Sequence, residues 1–197
     1  MNTIIKSGRG RPRNFDPEAA LLIGQRMFHT EGYDAVGLAA LTEAMGIKPP
    51  SFYTAFGSKA GYFEQILARY AQTVLSLDDV LLPGRSAESA LNDLLERAAR
   101  TYARDPACLG CLVLEAARGH SATESTVLAR RIAEERRARI RTFVAATHPE
   151  SAHDVTDFIA SVMSGLSASA REGFGEARLV KIAATAAAGL KGLLTGN

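Results

Sequence analysis

The placement of prolines restricts the fold of this chain more than any other feature. They stand at positions 12, 17, 49, 50, 83, 106 and 149, and none interrupts a long periodic run. A proline in a helix interior removes a hydrogen bond and clashes with the preceding turn. The stretches between these positions are therefore free to form long helices. Pro17 and Pro106 each follow an aspartate. Asp as N-cap with Pro in the first turn starts a helix, because the missing N–H would have found no acceptor there. Sustained apolar/polar alternation and repeats at solenoid periods are not seen, so the fold class is all-α.

The pattern predicts about nine helices: residues 17–31, 38–45, 50–56, 59–77, 87–103, 106–118, 121–146, 152–172 and 176–194. Gly32, Gly46 and Gly57 mark the ends of the first three, and Ser58 caps the fourth. Leu21, Gly24 and Phe28 share one face of the first helix. Residues 78–85 form a linker, and Ser121 to Glu124 reads as a capping box for the seventh helix. A composition of 47% hydrophobic and 22% charged residues supports a buried core and excludes wholesale disorder. The longest uncharged stretch, residues 158–170, is 13 residues, short of the roughly 20 that span a bilayer. No secretory signal pattern opens the chain. Two cysteines, Cys108 and Cys111, cannot form a disulfide scaffold at this length. The expected compartment is a reducing cytoplasm, with no membrane contact.

The net charge is only +2, but it is unevenly spread. Residues 1–60 hold seven Lys/Arg and five acids, and the remainder holds sixteen of each. Lys6, Arg9, Arg11 and Arg13 crowd the first positions, which points to a nucleic-acid-facing end. The third helix follows Gly46-Ile47-Lys48-Pro49, a short Gly-containing turn between two short helices, as in DNA-binding helix-turn-helix units. Because residues before a proline are pushed out of the α region, this helix is expected to begin no earlier than Pro50. Phe52, Ala55 and Phe56 should face inward. Pro50, Ser51, Tyr53 and Thr54 should face outward, small or hydrogen-bonding groups suited to a major groove about 12 Å wide. A helical hairpin with a solvated outer face fits the same pattern.

The segment from Phe15 to Leu67 resembles the N-terminal domain of the TetR family of transcriptional repressors. The likeness rests on Phe28, Gly32-Tyr33, Gly46-Ile47, Ser51-Phe52-Tyr53-Thr54-Ala55-Phe56 and Ser58-Lys59. It implies three parts: a basic disordered arm at 1–14, a helix-turn-helix DNA-binding domain at 15–62, and an effector-binding and dimerisation domain at 63–197. By that resemblance the third helix reads a double-stranded DNA operator. Tyr53 and Lys59 meet phosphates, Pro50, Ser51 and Thr54 approach base edges, and Lys48 lies near the backbone or a guanine. Thr42 meets a phosphate or packs against the third helix. Gly37 stands where the family favours a Ser/Thr cap, leaving the start of the second helix weakly fixed, and the Pro49-Pro50 pair bears on which operator is read.

In the arm, Arg9-Gly10-Arg11-Pro12, with Arg13 beside it, is similar to an AT-hook core suited to a narrow minor groove. A basic tail that only raises non-specific affinity fits equally.

The resemblance further implies a homodimer formed by the last two helices, which are rich in Ala, Gly and Ser, with apolar area from Ile159, Val162, Met163, Leu166, Ile182, Leu190 and Leu193. Burial of that pair inside a monomer is the alternative. An effector cavity would be enclosed by helices five to seven, with Leu94, Leu95, Ala98, Tyr102, Cys108, Cys111, Leu112, Leu114, Ile140 and Phe143 as candidates. That composition equally suits a packed core. If residue 106 starts a helix, Cys108 falls in its first turn, where the dipole favours a thiolate. The cysteines are then either a redox or electrophile sensor or two small hydrophobes on one helix face.

No cofactor or metal is implied. His120, His148 and His153 lack zinc spacing to the cysteines, and no phosphate loop, HExxH or nucleophile elbow occurs. Arg130, Arg131, Arg136, Arg137, Arg139 and Arg141 alternate with Glu134 and Glu135 and read as a solvated face. The function these features point to is a homodimeric, ligand-released repressor of a palindromic operator, not an enzyme, whose effector is a small molecule or thiol-reactive agent. The alternative is a small-molecule-binding or redox-sensing helical protein without specific DNA readout.

Overall fold

The computed structural model describes residues 15–118 and 122–195. The basic arm, with Arg9, Arg11 and Arg13, and Ser121 lie outside the described residues. Among those described there are nine α-helices and no strand: α1 Pro17–Glu31, α2 Leu38–Met45, α3 Pro49–Phe56, α4 Lys59–Thr73, α5 Ala87–Ala103, α6 Leu112–Ala117, α7 Glu124–Ala145, α8 Ala152–Arg171 and α9 Glu176–Thr195.

Local chemistry sets the first four. The Asp16 carboxylate accepts from the N–H groups of Glu18 and Ala19 at 3.0 and 3.4 Å, and Pro17 opens α1. Gly46, in the left-handed region at φ 67° and ψ 31°, ends α2 and turns the chain into α3. Gly37 begins α2 with no side-chain cap, as its lack of a side chain requires. α3 starts at Pro49 rather than Pro50, with Lys48 as its N-cap. Both prolines then sit in the first turn, where no N–H is needed, and this outweighs the steric bias before a proline. The Ser58 hydroxyl accepts from Gly61 N–H at 2.9 Å and caps α4. α4 ends at Thr73, short of the expected residue 77. Arg136 of α7 donates there to Ala71 O, in the last turn, at 2.6 Å and to Leu75 O, just past the helix, at 2.7 Å.

Two helix starts are corrected. Residues 106–111 are not helical, although Asp105-Pro106 reads as a start. The Asp105 carboxylate accepts from Ala107 N–H at 2.9 Å, and Cys108 N–H returns to Asp105 O at 2.9 Å, closing a local turn. Gly110 then takes φ 80° and donates to Tyr102 O at 2.8 Å, which binds the loop back onto α5. Helix α6 begins only at Leu112. Helix α7 begins at Glu124, capped by Thr123, whose hydroxyl accepts from Thr126 N–H at 3.4 Å.

Helices α1 to α3 pack on the first half of α4 around Phe28, Phe52, Phe56, Tyr62 and Phe63, with ring centroids 4.5 Å apart for Phe56–Tyr62 and 5.0 Å for Phe28–Phe63. Ala55, expected inside, is exposed on α3. The second half of α4 enters a layered bundle in which α5 packs on α8 and α9, and α7 packs on α4, α6 and α8. One hydrophobic core runs continuously from Phe52 through Leu67 to Ile159 and Leu190. No described helix is long and apolar enough to cross a membrane.

Candidate nucleic-acid interface and effector cavity

On α3, Phe52 is fully buried and Phe56 is 6% exposed, so these two rings fix the roll of the helix. Pro50, Ser51, Tyr53, Thr54 and Ala55, with Lys48 before them, are then left on the outside. Tyr53 is 52% exposed, an unusual placement for an aromatic ring in a monomer surface. The Thr54 hydroxyl donates to Pro50 O at 2.9 Å, which leaves its two lone pairs free to accept.

Two further expected contact residues make bonds within the domain. Thr42 is 5% exposed, and its hydroxyl donates to Leu38 O and Ala39 O at 3.1 and 3.0 Å. It back-bonds to its own helix and is buried, which favours the packing alternative over the phosphate one. Lys59 donates from Nζ to Tyr33 O at 2.6 Å and lies 4.1 Å from the centroid of the Tyr33 ring. Burial lowers its pKa. This ammonium ties the α1–α2 turn to the start of α4, and its remaining N–H donors are not used by that bond.

In the second half of the molecule, α4, α5, α7 and α8, with the entry to α6, enclose a cavity of about 60 Å³. Its polar groups are Tyr70, Tyr102, Cys111, Arg136 and Arg137, the last paired with Glu134, and much of the rest is aliphatic, including Leu75, Ile140 and Met163. Tyr102 is 1% exposed, and its hydroxyl lacks a hydrogen-bond partner of normal geometry. The Cys111 thiol is its polar neighbour. Burial raises the pKa of both tyrosines and of Cys111, so all three carry their protons at neutral pH.

Of the expected effector residues, Tyr102, Cys111, Leu114 and Ile140 line this cavity. Leu94, Leu95 and Ala98 do not; all are fully buried on α5 as plain core. Leu112 lies beneath a crevice against α1, and Phe143 packs partly buried on the core. Cys108 faces α1, with its sulfur 3.9 Å from Thr30 Oγ1, so the two cysteines share neither a helix face nor a cavity.

Sequence reasoning missed Tyr70 and Arg136. The signal for Arg136 was present: it stands four residues from both Ile132 and Ile140, on the buried stripe of α7 rather than its solvated face.

The joint between the two halves is also specific. His29, near the end of α1, lies beside Leu109 with its buried Nε2 lacking a hydrogen-bond partner, and its ring stands edge-on to Tyr70 at 5.9 Å. Thr30 donates to Ala107 O at 3.3 Å, and Arg171 of α8 donates to Leu109 O at 3.3 Å. The 105–111 loop is thus clamped between α1 and α8.

The residues expected at a dimer interface divide. Ile159, Leu166 and Leu190 are 0–1% exposed within the protomer, and Met163 points into the cavity, so none of the four faces outward. Ile182 is 39% exposed, and Leu193 is half-buried. Ile182 lies in an open apolar groove between α8 and α9 with Phe158, Ala186 and Gly189.

The sequence profile described as "Bacterial regulatory proteins, tetR family" matches residues 24–66, from the middle of α1 into α4. The HTH-type transcriptional repressor BdcR of Escherichia coli (strain K12) is 41% identical over 186 residues, covering 94% of each chain. This chain belongs to the TetR family. A second family relative by sequence, the HTH-type transcriptional repressor ComR of the same organism, is 31% identical over 198 residues, 92% of this chain and 91% of ComR. A solved structure of the TetR family transcriptional regulator CifR, a cysteine mutant complexed with 26-bp double-strand operator DNA, superposes with a TM-score of 0.75. It has 35% identity and covers 90% of this chain and 98% of that one. As a TetR-family protein the chain is a transcriptional regulator, not an enzyme, and the profile match coincides with the helices that present the outer face of α3.

Proposed function

We propose that this TetR-family protein is a homodimeric repressor that inserts α3 into the major groove at each half of a palindromic operator and is released by a small molecule bound in the second half of the chain. Residues 15–62 act as the DNA-binding domain and residues 63–197 as the effector and dimer domain. The observation that carries the reading is the exposed Lys48, Pro50, Ser51, Tyr53 and Thr54 surface on a helix whose roll is fixed by buried Phe52 and Phe56. The operator complex of CifR supports it. Two copies related by a two-fold axis read two half-sites with a spacing the protein sets. The apolar groove holding Ile182, Phe158 and Gly189 is the face through which they pair. Arg9, Arg11 and Arg13 add minor-groove or phosphate attraction beside it.

The cavity at Tyr70, Tyr102 and Arg136 is the effector site, and the edge-on Tyr70–His29 contact is the route from its wall to α1. A ligand that prefers one spacing of the two α3 helices shifts the population toward the form that does not fit DNA. Non-covalent binding is favoured over thiol modification, because burial holds Cys111 as a protonated thiol and Cys108 does not sit at a helix N-terminus. Selection from random-sequence duplexes tests the reading: a two-fold symmetric consensus that a Tyr53→Ala variant no longer enriches is the expected result. Absence of any enriched sequence overturns it.

A further inference from the structure

The arginines of α7 do not all do the same thing. Arg131, Arg137, Arg139 and Arg141 each meet a carboxylate: Glu64, Glu134, Asp78 and Glu134 respectively. Arg136 meets none among the described residues. Its two bonds, to Ala71 O and Leu75 O, are to neutral carbonyls at the end of α4. A guanidinium has five N–H donors, and the partial charge of a helix C-terminus offsets only about half of its positive charge. It lines the same cavity as the Tyr102 hydroxyl, a fully buried polar group without a hydrogen-bond partner.

A partly compensated cation and an O–H donor whose polar neighbour is only a thiol, in one cavity, ask for the same thing, a small acceptor carrying negative charge. Arginine matches carboxylates with paired N–H groups, and such charge-assisted bonds are about twice as strong as neutral ones. Leu75, Ala133, Ile140, Ala160 and Met163 supply an aliphatic wall for the rest of the molecule. The volume of about 60 Å³ is smaller than the roughly 150 Å³ that accepts benzene in an engineered cavity, so the body must be short.

We infer that the cavity binds a short-chain aliphatic carboxylate, its carboxylate held by Arg136 and the Tyr102 hydroxyl and its chain laid against Leu75, Ile140 and Met163. This rests on the proposed effector site and names the chemistry of its ligand.

The test uses the full chain without DNA, titrated calorimetrically with acetate, butanoate, hexanoate and octanoate and with the matching primary amides. Affinity is expected to rise about fourfold per methylene until the chain outgrows the cavity, with the amides at least tenfold weaker. Tyr102→Phe, which removes one oxygen and keeps the ring, and Arg136→Gln should each weaken the acids tenfold or more and the amides, which accept only neutral-strength bonds, by much less. Amides that bind as tightly as acids, acids that bind both variants like the native chain, or no binding in the series would each overturn the inference. A parallel titration on selected operator DNA separates the two claims. Carboxylate binding without loss of operator affinity keeps the ligand class and refutes release through this cavity.

Discussion

Gly24 and Tyr62 share a space that leaves no room for a methyl group. A Cβ at residue 24 would stand 2.2 Å from the Tyr62 hydroxyl oxygen and 2.5 Å from two of its ring carbons. Tyr62 cannot retreat, because it is fully buried, donates to Ala20 O, and packs on Phe52 and Phe56 with centroids at 5.2 and 4.5 Å. Gly24→Ala gains about 1 kcal/mol in helix propensity, but the overpacking costs more, so the melting temperature should fall by several degrees. A melt unchanged or raised refutes this.

Tyr53 is the opposite case. Tyr53→Phe should leave the melt within about 0.5 kcal/mol, as at other exposed sites, while weakening operator binding severalfold in a fluorescence-anisotropy titration.

His29 gives a pH dependence. Burial first, then the Arg171 cation, lowers its pKa below 6.5, against smaller opposing effects of the Leu109 backbone, Glu115 and Asp105. The unfolded chain therefore binds the proton more readily than the folded one. The stability His29 contributes is complete above its unfolded value and is lost as pH falls below about 6.5. Urea midpoints measured from pH 7.5 to 5.5 should decline more steeply for the native chain than for His29→Gln, and parallel curves sink the assignment.

At the scale of elements, α1 to α3 were readable to within a residue because their signals are local: an Asp-Pro start, a left-handed glycine, aromatic rings spaced along one face. Helix α6 was not, because Asp105-Pro106 is equally good as the start of a turn. What decided it is non-local. Gly110 is pressed against α8, where an added Cβ would lie 2.9 Å from Ser167 Oγ and 3.0 Å from Ser167 O. The same Ser167 hydroxyl accepts from Cys111 N–H at 2.9 Å and donates to Glu115 at 2.6 Å, capping α6 from another helix. Gly110→Ala combines a positive φ with that clash, and should destabilise by about 2–4 kcal/mol in chemical denaturation. It should also disturb the loop on which His29 and Thr30 rest. Near-native stability would show the loop to be slack.

For the whole molecule, the question is what faces outward from α8 and α9. Periodicity marks apolar positions but cannot say whether an apolar stripe meets its own protomer or another. Burial separates them: Ile159 and Leu190 are wholly enclosed, and Ile182 is open. Under the pairing proposed above, Ile182→Glu should leave the fold intact by circular dichroism while shifting the sedimentation profile from dimer to monomer, and should reduce operator affinity at least tenfold by removing the second half-site. A dimer that survives this change moves the interface elsewhere.

The amino-acid order alone determined the all-α class, the helix-turn-helix and the outward set on α3 apart from Ala55, because those follow from caps, glycines and spacing within a few turns of chain. The fates of Thr42, Lys59, Met163 and Arg136 were settled only by tertiary structure. Each side chain suits more than one environment, and which it met depended on helices far away in sequence packing against its own.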